Sequence, residues 1–456
     1  MNVKRWLITA AGLIALAGLG GAAASVTGII PINASSGHFA VTEWLLVFTK
    51  KRSIATHTWG KPSPPLDDPA LVLKGAGHFE AGCRPCHGAP DLPRLPRVPR
   101  AMLPPPPNLS VIARHYAPEE LFYIVKHGIK FTGMPAWPSQ VRDDEVGAMV
   151  AFLVQLPDLD ARGYRRLVHG ETDEEHARRP AAHEKPARDV VTASGAILGT
   201  QPGARSTAGS SSDDASAAEP LGVLIGAERA PRAVVASCGR CHGMDGLGRG
   251  NAAFPSLAGQ REQYLVASLE AYAADRRQSG IMQPSAAALP ADEMREVAAY
   301  YSRLPARRAL GTPGNPSDAA RARGVGRAGD AGGPGAPSRA AATHTAGLDA
   351  AVVEPPASTT ADSAAIERGR QIAERGIPDR RIPSCTDCHG PAPGPKSAAV
   401  PMLAGQYADY LVLQLQLLHD KHRGGTDRVH LMDEVAPKLT PEQMQDVAKF
   451  YESLEP

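Results

Sequence analysis

Cys385-Thr386-Asp387-Cys388-His389 decides the reading of this chain, because the pattern recurs at Cys83-Arg84-Pro85-Cys86-His87 and Cys238-Gly239-Arg240-Cys241-His242. Cys-x-x-Cys-His is the attachment signature of a c-type haem. Two thiols bond the porphyrin edge, and the adjacent histidine is carried under the ring to ligate the iron. All six cysteines fall in these motifs, with none left over. A zinc site draws about four ligands, usually from two paired clusters, and these clusters stand more than a hundred residues apart. A thioredoxin-type pair belongs at a strand-to-helix turn, and no β-rich segment precedes any motif. The expectation is therefore three covalently attached haem c groups. Cys83, Cys86, Cys238, Cys241, Cys385 and Cys388 are the attachment points, and His87, His242 and His389 each supply one axial ligand.

At 456 residues the chain has room for about three domains, one per motif. A formal net charge of +2 points to neither nucleic acid nor an acidic surface as partner. Aromatics are scarce at 5%, while 45 Gly and 42 Pro indicate small loop-rich units joined by linkers. A haem suits such units, since it gives a small core a large apolar object to wrap.

Lys4 and Arg5 precede an uncharged run from Trp6 to Ile30. It is long enough to span a bilayer, which takes roughly 20 apolar residues, and residues 1–30 are read as an uncleaved membrane anchor. A cleaved signal, cut near Ala22-Ala23-Ala24, gives the same compartment. The basic flank stays cytoplasmic, so the body lies at the periplasmic face of a bacterial inner membrane. Residues 31–67 form a juxtamembrane extension ended by Pro62, Pro64 and Pro65. The first haem unit covers 68–156, the second 221–304 and the third 361–456. Residues 157–220 and 305–360, rich in charge, Ser, Gly, Ala and Pro, are expected to be flexible linkers.

The second and third units are copies. Pro255-Ser-Leu-Ala-Gly-Gln260 recurs as Pro401-Met-Leu-Ala-Gly-Gln406, and Tyr264-Leu265 as Tyr410-Leu411. Each unit ends in a helix with an apolar stripe: Val146, Met149, Val150 and Leu153; Met294, Val297, Ala298 and Tyr301; Met444, Val447, Ala448 and Tyr451. The first unit shares this closing helix without sharing the loop. Twelve positions before the first stripe residue stand Met134, Met282 and Met432. A lone methionine more often fills a core gap, but the common register places a thioether opposite each histidine. Met134, Met282 and Met432 are thus the expected second axial ligands, with His430 the competitor in the third unit. His/Met ligation raises the reduction potential and leaves no open position for oxygen or peroxide.

On these residues the chain resembles the class I cytochromes c. The second and third units resemble cytochrome c4, through their Cys-x-x-Cys-His-Gly motifs, the repeated loops and the closing helices. The first unit, with Gly133-Met134-Pro135, resembles single-haem class I domains. The resemblance implies an all-α fold of three tandem units behind the N-terminal segment. It also implies an early helix crossing the closing helix at Gly75 and Phe79, and a propionate partner among Arg276, Arg277 and Arg423. It does not extend to residues 1–67 or the linkers.

The function expected is a non-enzymatic carrier of single electrons with no small-molecule substrate. It would run in a respiratory chain between a quinol-oxidising or dehydrogenase complex and a terminal oxidase or soluble cytochrome. Long linkers would let the c4-like pair search for its partner while the first unit stays at the membrane. The alternative is the cytochrome subunit of a membrane-bound alcohol, aldehyde or sugar dehydrogenase. A peroxidase would need a displaceable ligand, and a gas sensor would need a signalling domain.

Overall fold

The computed structural model describes residues 3–29, 33–92, 94–170, 224–225, 228–250, 252–307, 360–390, 397–426 and 428–456. Most of the two expected linkers lies outside the described residues. The architecture is helical, apart from a two-residue antiparallel pair, Leu224–Ile225 with Glu228–Arg229, and two isolated bridges. Helix α1 (Val3–Val26) and helix α2 (Ala40–Thr58) precede the first unit. That unit holds α3 (Pro69–His78), α4 (Pro118–His127) and the closing α5 (Asp143–Gln155). The second holds α7 (Glu262–Ala273) and the closing α8 (Ala291–Arg303), α6 being an extra helix of the first unit described below. The third holds α9 (Thr360–Arg375), α10 (Ala408–His419) and the closing α11 (Pro441–Ser453).

The closing helices bury the stripes read from the sequence. Val146, Met149, Val150 and Leu153 are buried on α5, Val297, Ala298 and Tyr301 on α8, and Val447, Ala448 and Tyr451 on α11. Each large apolar side chain so covered contributes roughly 1.5–3 kcal/mol. Helix α11 starts on a capping box, with Thr440 Oγ1 accepting from the Gln443 amide at 3.2 Å and Gln443 Oε1 accepting from the Thr440 amide at 3.0 Å.

Two glycines let the early and closing helices touch backbone to backbone. A Cβ on Gly75 would lie 2.0 Å from the Ala148 carbonyl oxygen. One on Gly369 would lie 2.0 Å from the Asp446 carbonyl oxygen. Phe79 is fully buried beside Phe152, with ring centroids 5.2 Å apart. In the second unit a helical stretch leading to Cys238 plays this part, with Val234 packed among Val297, Tyr300 and Tyr301.

The first unit runs further than expected. Residues 161–169, assigned to the linker, form helix α6 (Ala161–His169), capped by Asp160 accepting from the Gly163 amide at 2.6 Å. Tyr164 and Val168 are fully buried, and the Tyr164 hydroxyl donates to Glu80 at 2.7 Å. Tyr164, Leu167 and Val168 share one helical face, but the arginines between them made the segment read as solvated linker. At the other linker, Arg307 lies past the expected boundary and still belongs to the packed body, donating to the Gly405 carbonyl at 2.7 Å.

Gly369→Ala is expected to destabilise the third unit by about 3 kcal/mol, the upper end of the usual overpacking cost, because the new methyl meets backbone and not a movable side chain. Denaturant unfolding of the full chain, followed by far-UV circular dichroism, reads this. An unchanged transition would mean that the two helices can separate freely.

Candidate functional site

Each motif closes in a single helical turn: Arg84–His87, Gly239–His242 and Thr386–His389. One turn carries both thiols and the imidazole on the same side of the chain. Burial pushes the Cys83 thiol up to about 12, and those of Cys238 and Cys385 up to about 11.

The three histidines share one hydrogen bond. His87 Nδ1 donates to the Pro107 carbonyl at 2.8 Å, His242 Nδ1 to Pro255 at 3.1 Å, and His389 Nδ1 to Pro401 at 3.0 Å. A carbonyl can only accept, so Nδ1 carries the proton and Nε2 keeps a free lone pair. Burial lowers the pKa of all three rings, holding them neutral as a metal requires. The prolines were missed as site residues. Their signal was present: Pro107-Asn-Leu109, Pro255-Ser-Leu257 and Pro401-Met-Leu403 share Pro-x-Leu. The first unit does share this part of the loop, contrary to the expectation from the longer repeat.

Met134, Met282 and Met432 each stand nine residues before the first residue of a closing helix, Asp143, Ala291 or Pro441. In the third unit the convergence is explicit. Cys385, Cys388, His389 and Met432 line one cavity of about 400 Å³, walled by Leu403, Leu411, Leu415, Leu418, Val435 and Val447. This volume is within the roughly 300–1,000 Å³ of ligand pockets. His430 is not among its lining residues. Met134 is half-buried in the loop after α4, and Met282 opens a short helix, Met282–Ala287.

The same cavity reaches the seam between the second and third units, where Arg277 and Arg423 line it. Arg277 is buried, and its side-chain hydrogen bonds go to neutral groups: the Tyr264 and Tyr410 hydroxyls, Ser268 and Gln414. Arg423 Nη2 donates to the Tyr264 hydroxyl at 3.0 Å, while its buried Nε has no partner. Burial alone would raise the Tyr264 phenol, but the two guanidinium charges bring it down to about 7. Buried Arg277 beside half-buried Arg423 is a cationic pair that would match an anionic edge. Thiols, a free imidazole nitrogen, a thioether, apolar walls and these two arginines together fit a haem, whose carboxylates the arginines would hold. Arg276, the third candidate, is exposed.

The repeated loops build the rest of this seam. Gln406 Oε1 accepts from the Ser256 amide at 3.0 Å and its Nε2 donates to the Ser256 carbonyl at 2.8 Å. Gln260 does the same to Met402, at 2.9 Å each way. Each glutamine thus reads the backbone of the other unit, so the copied sequence encodes a pseudo-twofold contact.

The first unit also docks on the second, so the expected free search by the c4-like pair is corrected. Buried Glu145 accepts from Ser279 Oγ at 2.6 Å, the Gly280 amide at 2.7 Å and Trp137 Nε1 at 3.1 Å. Arg142 pairs with Glu145 at 3.0 Å and donates to the Gln278 carbonyl at 2.9 Å. Gly77 lies against the second motif, where an added Cβ would stand 3.1 Å from Cys241 Sγ. Leu73 joins Ala253 and Phe254 there. Cys388 of the third unit is exposed.

The chain is similar in sequence to known cytochromes c. Residues 70–153 match the family model for cbb3-type cytochrome c oxidase subunit III, and residues 227–304 and 366–455 match that for cytochrome c. The thiosulfate dehydrogenase electron acceptor of Stutzerimonas stutzeri is 32% identical over 215 residues, 47% of this chain and 77% of the relative. Cytochrome c4 of the same species is 25% identical, over 48% of this chain and 85% of the relative. A solved cytochrome c4 from Acidithiobacillus ferrooxidans is 27% identical with a TM-score of 0.32, covering 48% of this chain and 98% of that one.

His78, buried beside Trp137 near the first seam, yields a pH test. Burial, then Lys74 and Arg142, lower its pKa, with Asp144 opposing. The folded ring stays neutral, whereas the unfolded ring takes a proton near its ordinary value of about 6.5. No stability is lost above that pH. Below it, stability falls by up to about 1.4 kcal/mol per pH unit. His78→Gln is expected to flatten this acid slope in denaturant unfolding, and an identical slope would place the proton uptake elsewhere.

Proposed function

Since the chain belongs to the class I c-type cytochromes, electron carriers with covalent haem c whose second and third units here are c4-like, we propose a tri-haem relay at the periplasmic membrane face. It passes single electrons from a dehydrogenase to a terminal oxidase. The observation that carries this reading is the third-unit cavity, where Met432 and His389 line one space with both attachment thiols. Haem iron bound by imidazole and thioether supplies a reversible one-electron couple of raised potential. The protein holds each imidazole by a proline carbonyl and would present the second ligand from Met134, Met282 or Met432. Arg277 and Arg423 would hold carboxylates of the group at the seam, and their charge would favour its reduced form.

The two ends of the relay have separate support. The first unit, next to α1, resembles an oxidase subunit, which favours delivery to a membrane-bound oxidase. The c4-like pair resembles proteins named as acceptors for thiosulfate dehydrogenase, which favours uptake from a periplasmic dehydrogenase. In α1, residues 6–26 are long and apolar enough to cross a membrane and entirely unburied, which supports anchoring. The second reading, a fixed cytochrome subunit of an alcohol, aldehyde or sugar dehydrogenase, predicts co-purification with a quinone- or flavin-bearing chain.

Met134→Ala, Met282→Ala and Met432→Ala are each expected to remove one third of the methionine–iron charge-transfer band of the oxidised protein. A band kept whole in any variant removes that ligand. Separately, stopped-flow mixing with a reduced thiosulfate dehydrogenase is expected to reduce the haems rapidly. Reduction by a sugar or alcohol dehydrogenase alone would transfer the role to the second reading.

A further inference from the structure

Helix α2 changes character along one side. Its inner side runs from half-buried Leu46 through buried Ile54 and Thr58, and His57 stacks on Tyr123 of α4 with centroids 5.2 Å apart. Its outer side begins with Val41, Trp44, Leu45 and Phe48, spaced as i, i+3, i+4 and i+7. All four are exposed, Val41 at 78% and Trp44 at 66%, and Trp44 stacks on Phe48 at 5.6 Å. Phe39 at the helix start is exposed too. From Lys51 and Arg52 onward the outer side of the helix carries no large apolar side chain, with Ala55 and Thr56 following, before exposed Trp59 just past its end.

We infer that the first half of α2 lies in the outer leaflet of the same membrane that α1 enters, as a second contact that fixes the first unit's tilt. Soluble surfaces rarely carry a continuous apolar patch with two aromatic rings. The switch at Lys51 and Arg52 has the order of an interfacial helix, with the apolar face in the acyl boundary and basic groups among headgroup phosphates. The occupant is named by continuity. The connection from Val26 to Ala40 is short, so the patch is held beside the bilayer at high effective concentration. Because α2 is one unbroken helix whose second half is packed on the first unit, lipid contact at Trp44 orients that unit. The seams described above then orient all three. The inference rests on reading α1 as an anchor and deepens it.

The test uses the full haem-loaded chain in vesicles of phosphatidylethanolamine and phosphatidylglycerol. All six native cysteines are consumed by attachment, so one introduced cysteine takes a nitroxide label alone. Labels go at Leu45→Cys, at Thr56→Cys and, for the anchor, at Leu16→Cys; the Soret spectrum reports folding. Collisions with dissolved oxygen are expected to exceed those with a water-soluble nickel chelate several-fold at positions 45 and 16, and the order to reverse at 56. Adding Phe48→Lys is expected to abolish the oxygen preference at 45. A label at 45 as wet as that at 56, with 16 in lipid, overturns this inference and leaves the anchor standing. A wet 16 with a lipid-facing 45 overturns the anchor and keeps this contact. Water at both positions overturns both.

Discussion

Each unit depends on the hydrogen bond from a histidine Nδ1 to a proline carbonyl. It determines which ring nitrogen holds the proton and aims the other one away from the loop. Proline suits the acceptor role because its fixed φ stiffens the backbone that carries the carbonyl. The thiols one and four residues before the histidine then have one possible side for a flat apolar group. A hydrogen bond to the far nitrogen of an imidazole sets both its orientation and its basicity, so Pro107, Pro255 and Pro401 govern how each ring is presented.

Around that bond the chain builds helices that meet at glycine. Gly75 and Gly369 bring early and closing helices to backbone contact, and in the third unit Val447, Ala448 and Tyr451 of the closing helix line the cavity that Met432 also lines. The seams use a different chemistry. Their directional contacts are buried hydrogen bonds: Gln260 and Gln406 read backbone across one, and Glu145 accepts from Ser279 and Gly280 across the other. Apolar seams tolerate sliding, whereas buried hydrogen bonds have one register, because any slip leaves an unpaired group in low dielectric. These contacts therefore fix the spacing between the three units.

Local pattern carried far in this protein. The motifs, the closing-helix stripes, the methionine register and the copied loops are all short-range signals, and α3, α4, α5 and α11 form where those signals stood. Helix α6 was illegible because its buried face of Tyr164, Leu167 and Val168 is interleaved with Arg162, Arg165 and Arg166, whose stems can lie over apolar surface while their charges reach water. The docking of the first unit was illegible for another reason. Glu145, Arg142 and Ser279 look like ordinary surface residues until the fold sets them face to face.

By itself the sequence determined where each unit carries its attachment motif, two thiols and a histidine on one turn, and set a methionine at one fixed distance before each closing helix. Only the tertiary structure decided how the units stand to one another. Placing Gln406 on Ser256, Arg277 on Tyr410 and Glu145 on Gly280 depends on contacts more than a hundred residues apart. Such pairings leave no periodic trace in either partner, because their energy comes from desolvation shared by two surfaces that exist only after each unit has folded.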